Sequence, residues 1–308
     1  MNRYLLRRLA QSAIAVLGTV TLVFFIQRLA GDPTLLMLPE GATREDIETL
    51  RRQLGFDRPV IEQYLDYVWQ LLRLDLGQSL VQRLAVGDII ASRLPYTLYL
   101  AAAALVVALG IGLPVGVLMA VKRDTRLERL LMAFVLIGQS MPTFWSGILL
   151  ILFFAVTLGV MPASGVDGFH SVILPAIALG ALTMATFARV TRTAVLEELS
   201  RDYVPAAQAK GLRFRAVVFS HILRNAATPI ITVSALEIAN LLAGAIIVET
   251  VFAWPGLGQL AVQSIAARDF PIVQGIVLLG SFVAISLNLL ADILYSVVDP
   301  RIRLEGRA

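Results

Sequence analysis

Six stretches of this chain are apolar, long and nearly free of charge, and that property leaves it few folds. Residues 9–27, 94–121, 130–166, 168–188 and 270–291 contain no Asp, Glu, Lys or Arg, and residues 225–248 contain one, Glu237. A helix rises about 1.5 Å per residue, so about 20 apolar residues cross the hydrocarbon of a bilayer. Six spanning helices are expected, with 130–166 read as one long helix and a following loop. Only 16% of the residues are charged and 57% are hydrophobic, where soluble domains carry about 25% charged. The fold class is all-α: a polytopic membrane protein with six transmembrane helices. Arg3, Arg7 and Arg8 ahead of the first run have the look of a signal peptide. The run is long, however, and Gln27-Arg28-Leu29-Ala30-Gly31-Asp32 is a poor small-residue cleavage site, so an uncleaved helix is expected.

Charge sets the orientation. With six spans, four segments share one side: the N-terminal tail (Arg3, Arg7, Arg8), the second-to-third loop (Lys122, Arg123, Arg126, Arg129), the long loop (Arg189, Arg192, Arg201, Lys210, Arg213, Arg215, Arg224) and the C-terminal tail (Arg301, Arg303, Arg307). They hold seventeen of the 26 basic residues, and eight of the remaining nine lie in or beside the long 31–97 segment, which weighs little in orientation. The short outer loops keep only Arg268. Both termini are expected in the cytoplasm. The net charge of +4 is mostly topogenic and suggests no nucleic acid partner. There is no cysteine, hence no disulfide, thiolate metal site or cysteine nucleophile.

Four regions follow: a tail and first span (1–30), an extracytoplasmic helical insertion (31–95), a core of five spans (96–298) that includes the basic loop 189–227, and a tail (299–308). The insertion opens on the turn Gly31-Asp32-Pro33. Thr43 is a good N-cap ahead of Glu45 and Asp46, and Ile47, Leu50 and Leu54 recur at helical spacing. A second amphipathic helix follows Pro59, with Ile61, Tyr64, Leu65, Val68, Leu71 and Leu72 on one stripe, and stops near Asp75-Leu76-Gly77. This is a small helical cap whose apolar faces are expected to pack on membrane helices or a neighbour. Pro95 stands at the mouth of the second span, and Pro114, Pro142 and Pro175 sit inside the second, third and fourth, where prolines kink helices.

The chain lacks the parts of common enzymes. A P-loop needs Gly-Lys followed by Ser or Thr, but Lys122 precedes Arg123 and Lys210 precedes Gly211. His170 and His221 are isolated, so no zinc pair forms, and no Gly-x-Ser-x-Gly elbow occurs. No metal site and no intrinsic enzymatic activity are expected.

The middle of the basic loop is different in kind. Asp202-Tyr203-Val204-Pro205-Ala206-Ala207-Gln208-Ala209-Lys210-Gly211-Leu212 reads as a small-residue helical turn stopped by glycine. Small side chains let another surface approach the backbone, and glycine adopts the left-handed geometry that ends a helix. A soluble partner on the cytoplasmic side is expected to dock there.

Polar residues within the spans are the other candidates. A central acid opposes insertion by about 2.5–3.5 kcal/mol, so Glu237, Asn288 and Asp292 stand out. Each serves either a polar wall of a substrate path or a hydrogen bond between helices, and proximity to the headgroups favours the second for Asn288 and Asp292. Gln139, Ser140, Thr143, Thr183 and Thr186 cluster in the middle spans and could line a path, though Ser and Thr in spans commonly bond their own helix. Closing the fifth span, Glu249, Phe252, Trp254, Pro255 and Gly256 form either an outer loop that meets a substrate-delivering partner or gates the path, or an interfacial anchor.

These motifs together resemble a known family. Asp202-Tyr203-Val204…Ala207…Ala209-Lys210-Gly211-Leu212 and Leu223-Arg224-Asn225-Ala226 look like the cytoplasmic signature of peptide-type ABC importer permeases. Val248-Glu249-Thr250-Val251-Phe252…Trp254-Pro255-Gly256-Leu257-Gly258, Arg268-Asp269-Phe270-Pro271, Asn288-Leu289-Leu290…Asp292 and Asp299-Pro300-Arg301 continue it. Upstream, Gly31-Asp32-Pro33, Leu54-Gly55…Asp57-Arg58-Pro59, Asp75-Leu76-Gly77…Ser79 and Arg93-Leu94-Pro95…Thr97-Leu98 also fit, so the likeness covers nearly the whole chain. It is similar to the first permease subunit of the dipeptide/oligopeptide/nickel group, the one with a large first outer loop.

The resemblance implies a type I importer fold, a second homologous permease as partner, two ATP-binding subunits beneath and an extracytoplasmic substrate-binding protein above. ATP and magnesium would then sit on the ATPase subunits, with no cofactor on this chain. Asp202, Tyr203, Ala206, Ala207, Ala209, Lys210, Gly211 and Leu212 would form the coupling helix. The substrate would be a di- or oligopeptide, with glutathione, a nickel chelate, haem or an opine as alternatives. A stand-alone secondary transporter or channel, and a signalling scaffold, are the alternatives of other classes. The sequence departs from the family pattern at Pro205, where the wider family has an acid and this branch a basic residue, and at Glu237, where a neutral amide is more usual.

Overall fold

The computed structural model describes residues 2–29, 43–53 and 55–298. Among these the regular structure is helical, apart from an isolated antiparallel bridge between Gln78 and Ala85. Gly31-Asp32-Pro33, Leu54, the tail 299–308 and the side chains of Ile47, Leu50 and Asp292 lie outside the described residues.

Helix α1 is Asn2–Leu29, with α2 at Arg44–Gln53 and α3 at Val60–Leu72 in the insertion. α4 (Val86–Val121) is followed by α5 (Arg126–Ser140) and α6 (Thr143–Leu150), which runs on as a π-helix over Ile151–Thr157. α7 is Ile173–Leu199, α8 Tyr203–Ala209 and α9 Phe214–Val217, continued by a π turn over Val218–Ile222. α10 (Leu223–Val251), α11 (Leu257–Ala266) and α12 (Phe270–Val298) complete the chain. Four helices are long and apolar enough to cross a membrane, a fifth arises if the bent pair α5–α6 counts as one, and α1 contributes the shorter apolar segment Ala10–Ile26.

Three boundaries differ from expectation. The third span is not one long helix: α5 and α6 are bent by 106° at Met141-Pro142. Proline drives its predecessor out of the helical region, and Met141 accordingly has ψ 127°. α4 starts at Val86, so Pro95 lies within a helix of 36 residues instead of at its mouth. Charged Asp88 and Arg93 end the uncharged run without ending the helix, because Val86, Ile89 and Ile90 bury an apolar face. Likewise α7 runs on past Arg189 to Leu199, which shortens the loop between the fourth and fifth spans.

The chain forms two compact units. The first comprises Met1–Pro95 and Gly256–Leu289. Its core joins Val86, Ile89 and Ile90 to Leu260 and Ile272. Asp269, only 1% exposed, accepts hydrogen bonds from Ser79 Oγ, from Leu80 N at 3.1 Å and from Val81 N at 3.3 Å. Thr43 and Asp46 cap α2 reciprocally, Asp46 N donating to Thr43 Oγ1 at 3.2 Å and Thr43 N to Asp46 Oδ2 at 3.0 Å.

The second unit comprises Tyr96–Pro255 and Leu290–Ala308. α7 is its axis, with α5, α6 and α10 packed around it. Gly112 and Gly116 of α4 lie one helical turn apart on one face and let that helix meet α7 closely. A Cβ at Gly112 would sit 2.8 Å from Met184 O, and one at Gly116 2.5 Å from Ala188 O. From the other side, a Cβ on Gly180 would sit 2.7 Å from Ala104 O. Small residues four apart permit such backbone contact between spans.

Candidate functional site

The turn Tyr203–Leu212 is anchored from within and open on its outer side. Val204 is buried with Val195, Val217, Val218, Ile222 and Ala226, while Ala206, Gln208, Ala209, Lys210, Gly211 and Leu212 are exposed. Gly211 has φ +86° and would find no atom within 4 Å of an added Cβ, so backbone geometry alone asks for glycine. Its N–H donates to Gln208 O at 2.9 Å, and Leu212 N donates to Ala207 O at 3.3 Å. Pro205 falls in the first turn of α8, where a backbone N–H has no helical acceptor to lose. It is exposed, and the helix forms around it without a break.

Three side chains tie this turn to the spans on either side. Glu198, near the end of α7, accepts from Tyr203 Oη at 2.7 Å and from Asn225 Nδ2, at the start of α10, at 3.0 Å. Burial, then the bond to Glu198, holds the Tyr203 phenol above its usual value of 10.0. It therefore remains a donor at physiological pH. A second clasp lies on the same side: Arg192 of α7 donates to Glu128 of α5 at 2.9 Å. Glu128 also receives Asp124 N, and its own N–H donates to Thr125 Oγ1 at 3.4 Å, which caps α5 at the second-to-third loop. Charge counting treated Arg192 only as a topology signal. The acid at the third position after Thr125 was the sign of the cap.

The polar residues of the spans separate into groups. Thr183 Oγ1 donates to Glu237 Oε2 at 3.0 Å, a buried pair between α7 and α10. Arg189 donates to the Gln139 side-chain oxygen, joining α7 to α5. Ser140 bonds back to Leu136 O at 2.8 Å and Thr186 to Leu182 O at 3.4 Å, each within its own helix. Thr143 is half-buried at the first position of α6, and Asn288 is exposed on α12.

The segment closing the fifth span is built differently from an exposed loop. Glu249 and Trp254 are 0% exposed and Phe252 1%. Thr97 Oγ1 donates to Glu249 at 2.7 Å, Trp254 Nε1 donates to Tyr96 O at 3.0 Å, and Tyr99 stacks on Trp254. These three side chains are buried between α4 and the end of α10 instead of being exposed on a loop. Thr250 and Ala253 face outward, Ala253 in left-handed geometry at φ 48°, with Pro255 half-buried and Gly256 forming the N-cap of α11.

Two family models match this chain. One, the binding-protein-dependent transport system inner membrane component, covers residues 112–304, which include the exposed turn and its clasp; the N-terminal membrane component of the same systems covers residues 1–101. The chain belongs to this family. The permease is 39% identical to the dipeptide transport system permease protein DppB of Escherichia coli K12, over 98% of its own length and 99% of DppB. It is 41% identical to the glutathione transport system permease protein GsiC of Escherichia coli O6:H1, over 98% of its length and 99% of GsiC. Its fold matches an inward-facing structure of the MetNI methionine ABC transporter with a TM-score of 0.58 at 21% identity, covering 68% of this chain and 96% of the other. The permease thus has the helical, polytopic fold of ABC importer permeases. It is a multi-pass inner membrane transport protein and not an enzyme.

Proposed function

We propose that this permease moves small peptides inward as one half of an ATP-driven importer. DppB and GsiC, similar along their whole lengths, are named for dipeptide and glutathione transport, and both substrates are short peptides. A second homologous permease completes the path, two ATP-binding subunits lie on the cytoplasmic side, and an extracytoplasmic protein delivers substrate. ATP and magnesium belong to those ATPase subunits.

The observation that carries coupling is the exposed, glycine-stopped turn Tyr203–Leu212 and its tie through Glu198 to both α7 and α10. When ATP draws the nucleotide-binding subunits together, the turn moves with the surface it sits in. Glu198 and Asn225 pass that displacement to two spans at once, and the permease pair shifts its population towards the outward-facing state. Gln139, Ser140, Thr143, Thr183, Thr186 and Glu237 remain the candidate path, and their strongest members are the inter-helical pairs. Glu237 would favour substrates bearing an amine.

Gly211→Asp tests this reading. The variant is expected to insert and assemble normally but to lose transport-coupled ATP hydrolysis, because a charged side chain on the docking face and a left-handed backbone oppose the same contact. Retained coupling would overturn the assignment. Glu237→Gln tests the path: unchanged preference between peptides with free and blocked amino ends would remove Glu237 from it.

A further inference from the structure

Helix α3 presents three faces. The first packs on α1. A hydrogen bond of 2.7 Å joins the Tyr64 and Thr21 hydroxyls, the Tyr64 ring lies edge-on to Phe24 at 5.4 Å and stacks on Phe25 at 6.5 Å, and Tyr67 lies 5.6 Å from Phe24. The second is polar, with Glu62, Asp66 and Gln70 exposed and Asp66 paired to Arg58 at 3.3 Å. The third is apolar and uncovered among the described residues: Ile61 is 65% exposed, Leu65 60%, Trp69 54% and Leu72 72%. Steps of four, four and three residues keep these side chains on one stripe of a helix.

Depth shows what covers that stripe. Thr21, Phe24 and Phe25, which hold α3, lie inside the uncharged run 9–27. Thr21 precedes Gln27, the end of that run, by about 9 Å of helix. α3 therefore lies level with the last turns of the hydrocarbon-crossing segment and not above them. On α1 itself Leu22, Phe25 and Ile26 are exposed, as lipid-facing residues of a span are. Through the Phe25–Tyr64 stack that surface continues onto α3. At the edge of the stripe the Arg73 guanidinium lies 4.7 Å over the Trp69 ring, a pairing suited to the headgroup region. Between α3 and α1 the Tyr67 hydroxyl has no hydrogen-bond partner among the described residues, and burial pushes its pKa up to about 12.

We propose that α3 is an interfacial helix whose Ile61, Leu65, Trp69 and Leu72 face is seated in the lipid of the leaflet at the C-terminal end of α1. On the orientation of the proposed function, this is the outer leaflet. Amphipathic helices with Trp and Leu on one face and charges on another bind at the boundary of headgroups and acyl chains. The insertion is then held at the membrane surface from two sides, by α1 and by the bilayer.

The chain has no cysteine, so a single replacement gives it one labelling site, with the unreplaced chain in the same assembly as the background control. Ile61→Cys, Leu65→Cys and Leu72→Cys on the stripe, and Glu62→Cys and Asp66→Cys on the polar face, would carry nitroxides in the assembled transporter in liposomes. Collision with oxygen, which concentrates in hydrocarbon, is compared with collision with a water-soluble paramagnetic chelate. The stripe positions are expected to show a several-fold higher oxygen-to-chelate ratio than Glu62→Cys and Asp66→Cys. Equal ratios would mean water on the stripe, and low collision with both probes would mean a covering protein; either overturns the proposal. Quenching of Trp69 by lipids brominated on the acyl chains, taken as the difference between the unaltered chain and Trp69→Phe, reads the same contact without a label. Absence of that quenching also overturns it. None of these readouts involves transport, so failure of the coupling reading and failure of this one are separable.

Discussion

Gly116 and Gly110 lie on the same helix and should respond oppositely to one methyl group. A Cβ on Gly116 meets Ala188 O at 2.5 Å and Thr191 Cβ at 2.6 Å, whereas one on Gly110 meets nothing within 4 Å. Gly116→Ala is expected to cost about 1–3 kcal/mol through overpacking, and Gly110→Ala to change stability by less than about 1 kcal/mol. Thermal unfolding in detergent distinguishes them. At this scale the sequence was partly legible. Gly211 stood out because it followed a run of small residues, and its left-handed backbone agrees with that reading. Gly112 and Gly116 carried an equally plain signal, two glycines one turn apart in an apolar span, that hydropathy alone passes over. Pro205 departs from the family pattern in charge, but within the first turn it removes no hydrogen bond, as an early helical position allows.

Elements depend on contacts that sequence order hides. Asp269 holds Ser79, Leu80 and Val81 from the far end of the chain. Asp269→Ala leaves the buried Ser79 hydroxyl and the part-buried Leu80 and Val81 N–H groups without that acceptor and is expected to cost about 1–3 kcal/mol. Faster proteolysis of the segment around Ser79 would report it. Both Asp269 and Ser79 were visible as motifs, but 190 residues of separation gave no reason to pair them. The clasp on the exposed turn Tyr203–Leu212 makes a different prediction. A tyrosine whose pKa is raised on folding contributes stability that is complete below the unfolded value and is lost as pH climbs through the folded one. Unfolding temperatures should therefore hold up to about pH 10 and then fall. In Tyr203→Phe this part of the alkaline fall is expected to disappear, and a pH series of unfolding temperatures checks it. The break at Met141-Pro142 was foreshadowed by proline, yet hydropathy ran straight through it. Apolar composition is blind to the direction of the chain.

For the whole molecule, the apolar runs and the placement of arginine gave the class of fold and an orientation that can be measured directly. Lys210→Cys is expected to react with a membrane-impermeant maleimide only after the membrane is opened, and Gln70→Cys in intact cells stripped of their outer membrane. The reverse pattern would invert the topology. Composition could not show which helices touch, because every span is apolar and any pairing satisfies hydropathy equally well. α4 and α7 meet backbone to backbone at Gly112, Gly116 and Gly180, where not even a Cβ fits, so sliding one past the other would bring larger side chains against the facing backbone. They act as one strut. The motion of the proposed transport cycle is then expected elsewhere, at the 106° corner between α5 and α6 and at the π turns Ile151–Thr157 and Val218–Ile222, where the winding already departs from the regular α-helix.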